Sequence, residues 1–169
     1  SLGLPDTVTR YYFDYPEESK GFRDLLGSIL IFFLLFGFLV VTTLTFFGKP
    51  IFENLFSNVT FSPYIKIGLW TSFFISINAI LLNIYRAKEQ AVKYISFRIV
   101  NFLLTTGIII YFVVIAKEGA LGKIKGSFYA SLLFFIIFLV LILKRSNIIL
   151  SKPKLFNALM FGLPLVPHA

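Results

Sequence analysis

The chain has 169 residues, of which 57% are hydrophobic and 14% charged, with a mean hydropathy of +0.86 and a formal net charge of +8. That composition belongs to an integral membrane protein and excludes an ordinary soluble domain. With no Cys in the sequence, disulfides and thiolate metal sites are excluded as well.

Residues 1–24 carry Arg10, Lys20 and Arg23 beside an acidic cluster of Asp14, Glu17, Glu18 and Asp24. This segment reads as a solvated loop. Four uncharged runs follow: Leu25–Phe47, Ile67–Tyr85, Ile99–Ala116 and Gly126–Leu143. At about 1.5 Å per residue each is roughly 27 to 35 Å long as a helix, matching the roughly 30 Å hydrocarbon core of a bilayer. The first run is too long for a signal-peptide core and has no cleavage site after it. Spans are therefore expected at about 25–47, 67–85, 95–116 and 126–143, an all-α membrane fold with four crossings and a partial fifth.

The connections also have local signals. Gly48-Lys49-Pro50 ends the first span, and Pro50 is suited to open a short interfacial helix through Phe56. Ser62-Pro63 closes that loop before the second span. Asn58-Val59-Thr60 fits the glycosylation pattern, which is short enough to arise by chance. Gly122-Lys123-Ile124-Lys125-Gly126 fits GxxxG only formally, because it is expected in a charged loop. Gly126 with Ala130, and Ser127 with Ser131, make small-xxx-small pairs suited to helix packing. Ser151 and Pro153 suit a helix start, and Pro164 and Pro167 predict a bent final helix, with His168 beside the second proline. The sequence begins at Ser1 and stops within an apolar run, so it is expected to be a piece of a longer protein.

Alternate loops hold 11 and 5 Lys plus Arg residues. The positive-inside rule puts loops 1–24, 86–98 and 144–158 in the cytoplasm. The basic residues are spread between spans rather than gathered on a polar face, so no nucleic-acid partner is expected.

Polar residues within spans mark faces that meet protein or water. In the second span Ser72, Ser76, Ala79, Asn83, Arg86 and Gln90 share one helical stripe, with Phe73, Ile77, Leu81 and Ile84 on the opposite faces. The third helix shows a second stripe of Tyr94, Arg98, Asn101 and Thr105. The short turn between the two helices makes them antiparallel neighbours, so the stripes are expected to line one cytoplasm-accessible cavity. An Arg there suits an anionic ligand. The bland alternative is helix packing with snorkelling arginines. No phosphate loop, paired-Asp motif or His/Glu metal spacing occurs, so no enzyme, metal or cofactor is expected. The four uncharged runs contain no acidic residue, which argues against a carboxylate proton relay.

Three segments carry a family resemblance. Thr9-Arg10-Tyr11-Tyr12-Phe13-Asp14-Tyr15 resembles the loop between helices two and three of polysaccharide biosynthesis flippases. Asn83-Ile84-Tyr85-Arg86-Ala87-Lys88-Glu89-Gln90-Ala91 resembles their loop between helices four and five. Phe161-Gly162-Leu163-Pro164-Leu165-Val166-Pro167-His168-Ala169 resembles the start of their seventh helix. These are the lipid-linked oligosaccharide translocases of the MATE-like exporter superfamily, which includes the O-antigen flippases. The resemblance implies a two-bundle transporter, with residues 1–157 supplying part of the first bundle and 158–169 opening the second. It implies translocation of an undecaprenyl-diphosphate-linked oligosaccharide by alternating access, in a bacterial or archaeal cytoplasmic membrane. The implied partners are that substrate, membrane lipids and the remainder of the transporter chain. Candidate cavity residues are Arg10, Ser76, Asn83, Arg86, Tyr94, Arg98 and Asn101, with the arginines facing the diphosphate. A multidrug exporter of the same superfamily, a membrane-embedded glycan polymerase and a small four-helix scaffold are the alternatives.

Overall fold

A computed structural model of the chain describes residues 19–56, 59–144 and 146–147, with the single positions 156 and 160. Arg10, the acidic residues before Ser19, Asn58 of the sequon, the Ser151–Pro153 helix start, Pro164, Pro167 and His168 lie outside the described residues. So do the first and third family-like segments.

Among the described residues the protein is helical, with four helices long and apolar enough to cross a membrane. In order the helices are α1 (Lys20–Phe47), a short α2 (Lys49–Leu55) that is not one of the four, α3 (Lys66–Ala87), α4 (Ala91–Ile110) and α5 (Gly119–Leu143). A single wide π-type turn precedes α3 at Phe61–Ile65, and another extends α4 through Tyr111–Ile115. Apolar side chains and unsatisfiable backbone polar groups in lipid make helix the only open choice for such runs. Each helix extends past its uncharged run, because charged residues at the ends can sit in the interfacial layer. Ser19 caps α1 by accepting a hydrogen bond from the Phe22 amide at 3.2 Å. Pro50 occupies the first turn of α2, where its missing N–H leaves no partner unsatisfied.

The turn from α3 to α4 is closed by backbone geometry. Glu89 is left-handed at φ 53°, the Gln90 amide donates to Tyr85 O at 3.0 Å, and the Glu89 amide donates to Arg86 O at 3.1 Å. This paired return is the Schellman arrangement, which satisfies the last carbonyls of α3. It sends α4 back along the bundle, and the turn from α4 to α5 reverses direction again.

The core lies between α1, α3 and α5. Phe73, Ile77, Leu81 and Ile84 of α3 are buried against Phe134, Phe138 and Ile142 of α5 and the first half of α1. Aromatic rings tie the helices together: Phe74 meets Phe135 at 4.9 Å, Phe33 meets Phe73 at 6.2 Å, and Phe97 meets Phe138 edge-on at 5.2 Å. The second half of α1 leaves Leu35, Phe38 and Leu39 exposed. α4 buries no residue fully and lies at the edge of the bundle.

Two expectations need correcting. The second and third spans, α3 and α4, are consecutive and antiparallel, but they are not close neighbours along their length. α5 packs extensively on both, while α3 and α4 meet over a shorter stretch, where Tyr85 stacks on Phe97 at 5.5 Å. Gly122 and Gly126 let α5 approach α4 closely. The GxxxG pattern is likewise not in a loop. Gly122 and Gly126 lie within α5, buried against α4. A methyl group built on Gly126 would stand 2.8 Å from Ile109 Cα, and one on Gly122 would stand 2.7 Å from Phe112 O. The backbones touch at a distance only glycine allows.

Candidate functional site

A polar cleft of about 360 Å³ opens where α3, α4 and α5 meet. Its polar lining is Asn78 of α3, Arg98, Asn101 and Thr105 of α4, and Ser127 and Ser131 of α5. Each comes from a span that is apolar over most of its length. Their clustering follows from burial: a polar group in a span is least costly where it meets another polar group or water.

The cleft is graded along the membrane normal. Arg98 lies about 10 Å into α4 from its start at Ala91, and Asn101 and Thr105 lie roughly 15 and 21 Å in. Ser131 is central in α5. The cation therefore stands near one end, with amides and hydroxyls deeper.

Local bonds orient these groups. Tyr94 accepts from Arg98 through its hydroxyl, at 3.3 Å from Nε and 3.1 Å from Nη2, and its ring lies 5.5 Å below the guanidinium. The spacing of four residues makes this possible on one helix face. Thr105 donates to Asn101 Oδ1 at 3.5 Å, and Ser131 donates to Phe128 O at 2.9 Å. Asn78 is only 6% exposed, and its Oδ1 is buried with no partner. A buried carbonyl without a donor costs about 1–3 kcal/mol, and this one belongs to a residue that borders the cleft.

The expected site residues divide into separate places. Arg98 and Asn101 line the cleft, and Tyr94 holds Arg98 from outside it. Ser76 does not join them. It donates to Ser72 O at 2.8 Å and faces a separate apolar furrow between α1 and α3, lined by Phe33, Gly37 and Phe73. Asn83 and Arg86 lie further along α3, with Arg86 exposed in its last turn, and neither lines the cleft. Arg10 lies outside the described residues. The α4 stripe thus faces the cleft, whereas of the α3 stripe only Ala79 does. The neighbouring line Ile75, Asn78 and Leu82 takes its place.

Asn78 was the missed residue. It sits off the Ser72–Gln90 stripe among bulky apolar neighbours, where a stripe-based reading passes over it. The available signal was simpler: an amide near the middle of a span points to protein or water. Ser127 and Ser131, whose spacing suits helix packing, both border the cleft.

No metal-ligand cluster occurs among the described residues. The cleft offers one cation, two amides and three hydroxyls, with no carboxylate in its lining. That donor-rich set can accept an oxyanion at the Arg98 end and hydroxyl-bearing groups deeper. No protein-family model, curated protein or solved structure matches this chain.

Proposed function

We propose that this chain serves a membrane flippase that moves an undecaprenyl-diphosphate-linked oligosaccharide from the inner to the outer leaflet by alternating access, for surface polysaccharide synthesis. The observation that carries the reading is the graded cleft, with Arg98 near one end and Asn78, Asn101 and Ser131 deeper in an otherwise apolar bundle. A diphosphate suits the guanidinium, which can bind phosphate oxygens in a bidentate way. Sugar hydroxyls suit amides and serines, because they donate and accept at once. Flipping breaks no covalent bond, in keeping with a site made of binding groups.

Loop charges support an orientation for the cycle. The ends of α3 and α5 and the starts of α1 and α4 lie at one end of the bundle, where the described residues carry Lys20, Arg23, Arg86, Lys88, Lys93, Arg98 and Lys144. In the proposed orientation this end is cytoplasmic and Arg98 meets the substrate at its entry leaflet. Asn83 and Arg86 belong to the same end and are proposed as outer contacts on the approach, and Arg10, outside the described residues, is proposed as a further contact with the diphosphate.

The test is charge reversal at Arg98, made at the gene's own locus. Arg98→Glu should abolish surface polysaccharide while the protein still inserts at wild-type levels. Arg98→Lys should retain part of the activity, since it keeps the charge and loses the fork. Normal polysaccharide in Arg98→Glu would end the proposal.

A further inference from the structure

A second polar recess lies at the opposite end of the bundle. It has a volume of about 400 Å³ and is bounded by the end of α1, α2 and the entry to α3. Lys49 and Lys66 reach it from two different elements, joined by Thr45, Thr60 and Ser62, and Glu53 supplies its one carboxylate. Lys49 and Glu53 are paired only loosely, at 4.0 Å, with side chains 66% and 45% exposed. Such a pair is weak and leaves Lys49 able to meet another anion. The Lys66 ammonium stands 5.7 Å from the centre of the Phe61 ring, which positions the charge without neutralising it.

Phe46 borders this recess, and exposed apolar side chains continue beside it on the end of α1 and on the face of α2 turned away from Lys49 and Glu53. Phe46 and Phe47 are each 75% exposed, and Leu55 and Ile51 of α2 are 69% and 56% exposed. α2 buries none of its residues. A short helix with exposed apolar side chains, placed where a membrane span ends, lies in the interfacial layer. Cations and hydroxyls beside exposed phenylalanines fit an amphiphile. A free anion would meet the lysines and gain nothing from the phenylalanines.

We propose that this recess binds the headgroup of an anionic phospholipid, such as phosphatidylglycerol, with its acyl chains along Phe46 and its exposed neighbour Phe47. The site is separate from the Arg98 cleft, and the proposal stands whether or not the flippase reading does. The lipid phosphate meets Lys49 and Lys66, and Thr60 and Ser62 face the glycerol. Glu53 tempers the site, so that removing it strengthens binding.

The test is native mass spectrometry of the detergent-purified chain, titrated with phosphatidylglycerol, phosphatidylcholine or inorganic phosphate. Phosphatidylglycerol should bind well above phosphatidylcholine. The Lys49→Gln/Lys66→Gln variant should lose about 30-fold in that affinity, and Glu53→Gln should gain roughly 5-fold. Lys144→Gln, at the other end of the bundle, should change nothing. Equal affinity for the two lipids, full affinity in the double variant, or equal competition by inorganic phosphate would overturn the proposal. Should the double variant not fold, the wild-type salt dependence and Glu53→Gln decide. Binding insensitive to salt, or unmoved by Glu53→Gln, would equally overturn it.

Discussion

Asn147 Nδ2 donates to Asp24 Oδ1 at 2.8 Å, joining residues 123 positions apart in the chain. The Asn147 amide also donates to Arg23 O at 3.1 Å. These bonds tie the start of α1 to the segment after α5, at the same end of the bundle as Arg98. In Asn147→Ala the side-chain bond is lost and the backbone bond remains. A hydrogen bond to a charged acceptor contributes about 1.5–3 kcal/mol, and half-burial argues for the lower end here. Thermal unfolding in detergent should show a Tm lower by several degrees, and Asn147→Asp should be worse, because two carboxylates would then face each other.

The glycines of α5 separate close packing from mere composition. Gly126→Ala and Gly122→Ala each drive a methyl group into the backbone of α4, so each should destabilise by about 1–3 kcal/mol. Gly68 and Gly107 are helical glycines with open space around them. Alanine there should be neutral, or stabilising by up to about 1 kcal/mol through helix propensity. A matched set of four unfolding curves checks this. Equal behaviour of all four would refute the contact between α4 and α5.

Asn78 separates stability from function. Its buried Oδ1 has no partner, so Asn78→Leu removes an unsatisfied acceptor and fills the site with an apolar group of similar size. The variant should unfold no earlier than wild type, yet under the proposed flippase function it should lose polysaccharide export. Export at wild-type rate would show that the amide has no substrate to meet.

Glu89 is held in the left-handed region at the end of α3, where a side chain is strained. Glu89→Gly relieves that strain and keeps the Schellman bonds, so the variant should gain up to about 1 kcal/mol. Glu89→Val should lose more than that, because β-branching is least tolerated at such a φ. The comparison can be read from the same thermal unfolding assay.

Much of this protein is legible along the chain. Lengths of uncharged sequence show how many membrane-long helices form, since in lipid the backbone has no other way to satisfy itself. Gly48, Pro50 and the stretch around Pro63 mark the breaks. The α4 stripe of Arg98, Asn101 and Thr105 shares one face by simple helical spacing, and that face borders the cleft.

Periodicity names the faces of a helix but not the neighbour each face meets. The stripe through Ser72 and Ser76 was legible as a face, yet it borders α1 in one part and lies exposed in another. Its rotation was decided by α5. Gly122 and Gly126 let α5 come against the α4 backbone, and Phe134 and Phe138 of α5 then fill the space beside α3. That packing turns Asn78, rather than Ser76, toward Arg98. Composition and spacing determined the membrane-length helices and their polar faces, because those follow from solvent and from 3.6 residues per turn. Which polar faces converge was decided by close packing between segments far apart in sequence, which depends on the volumes of all partners at once.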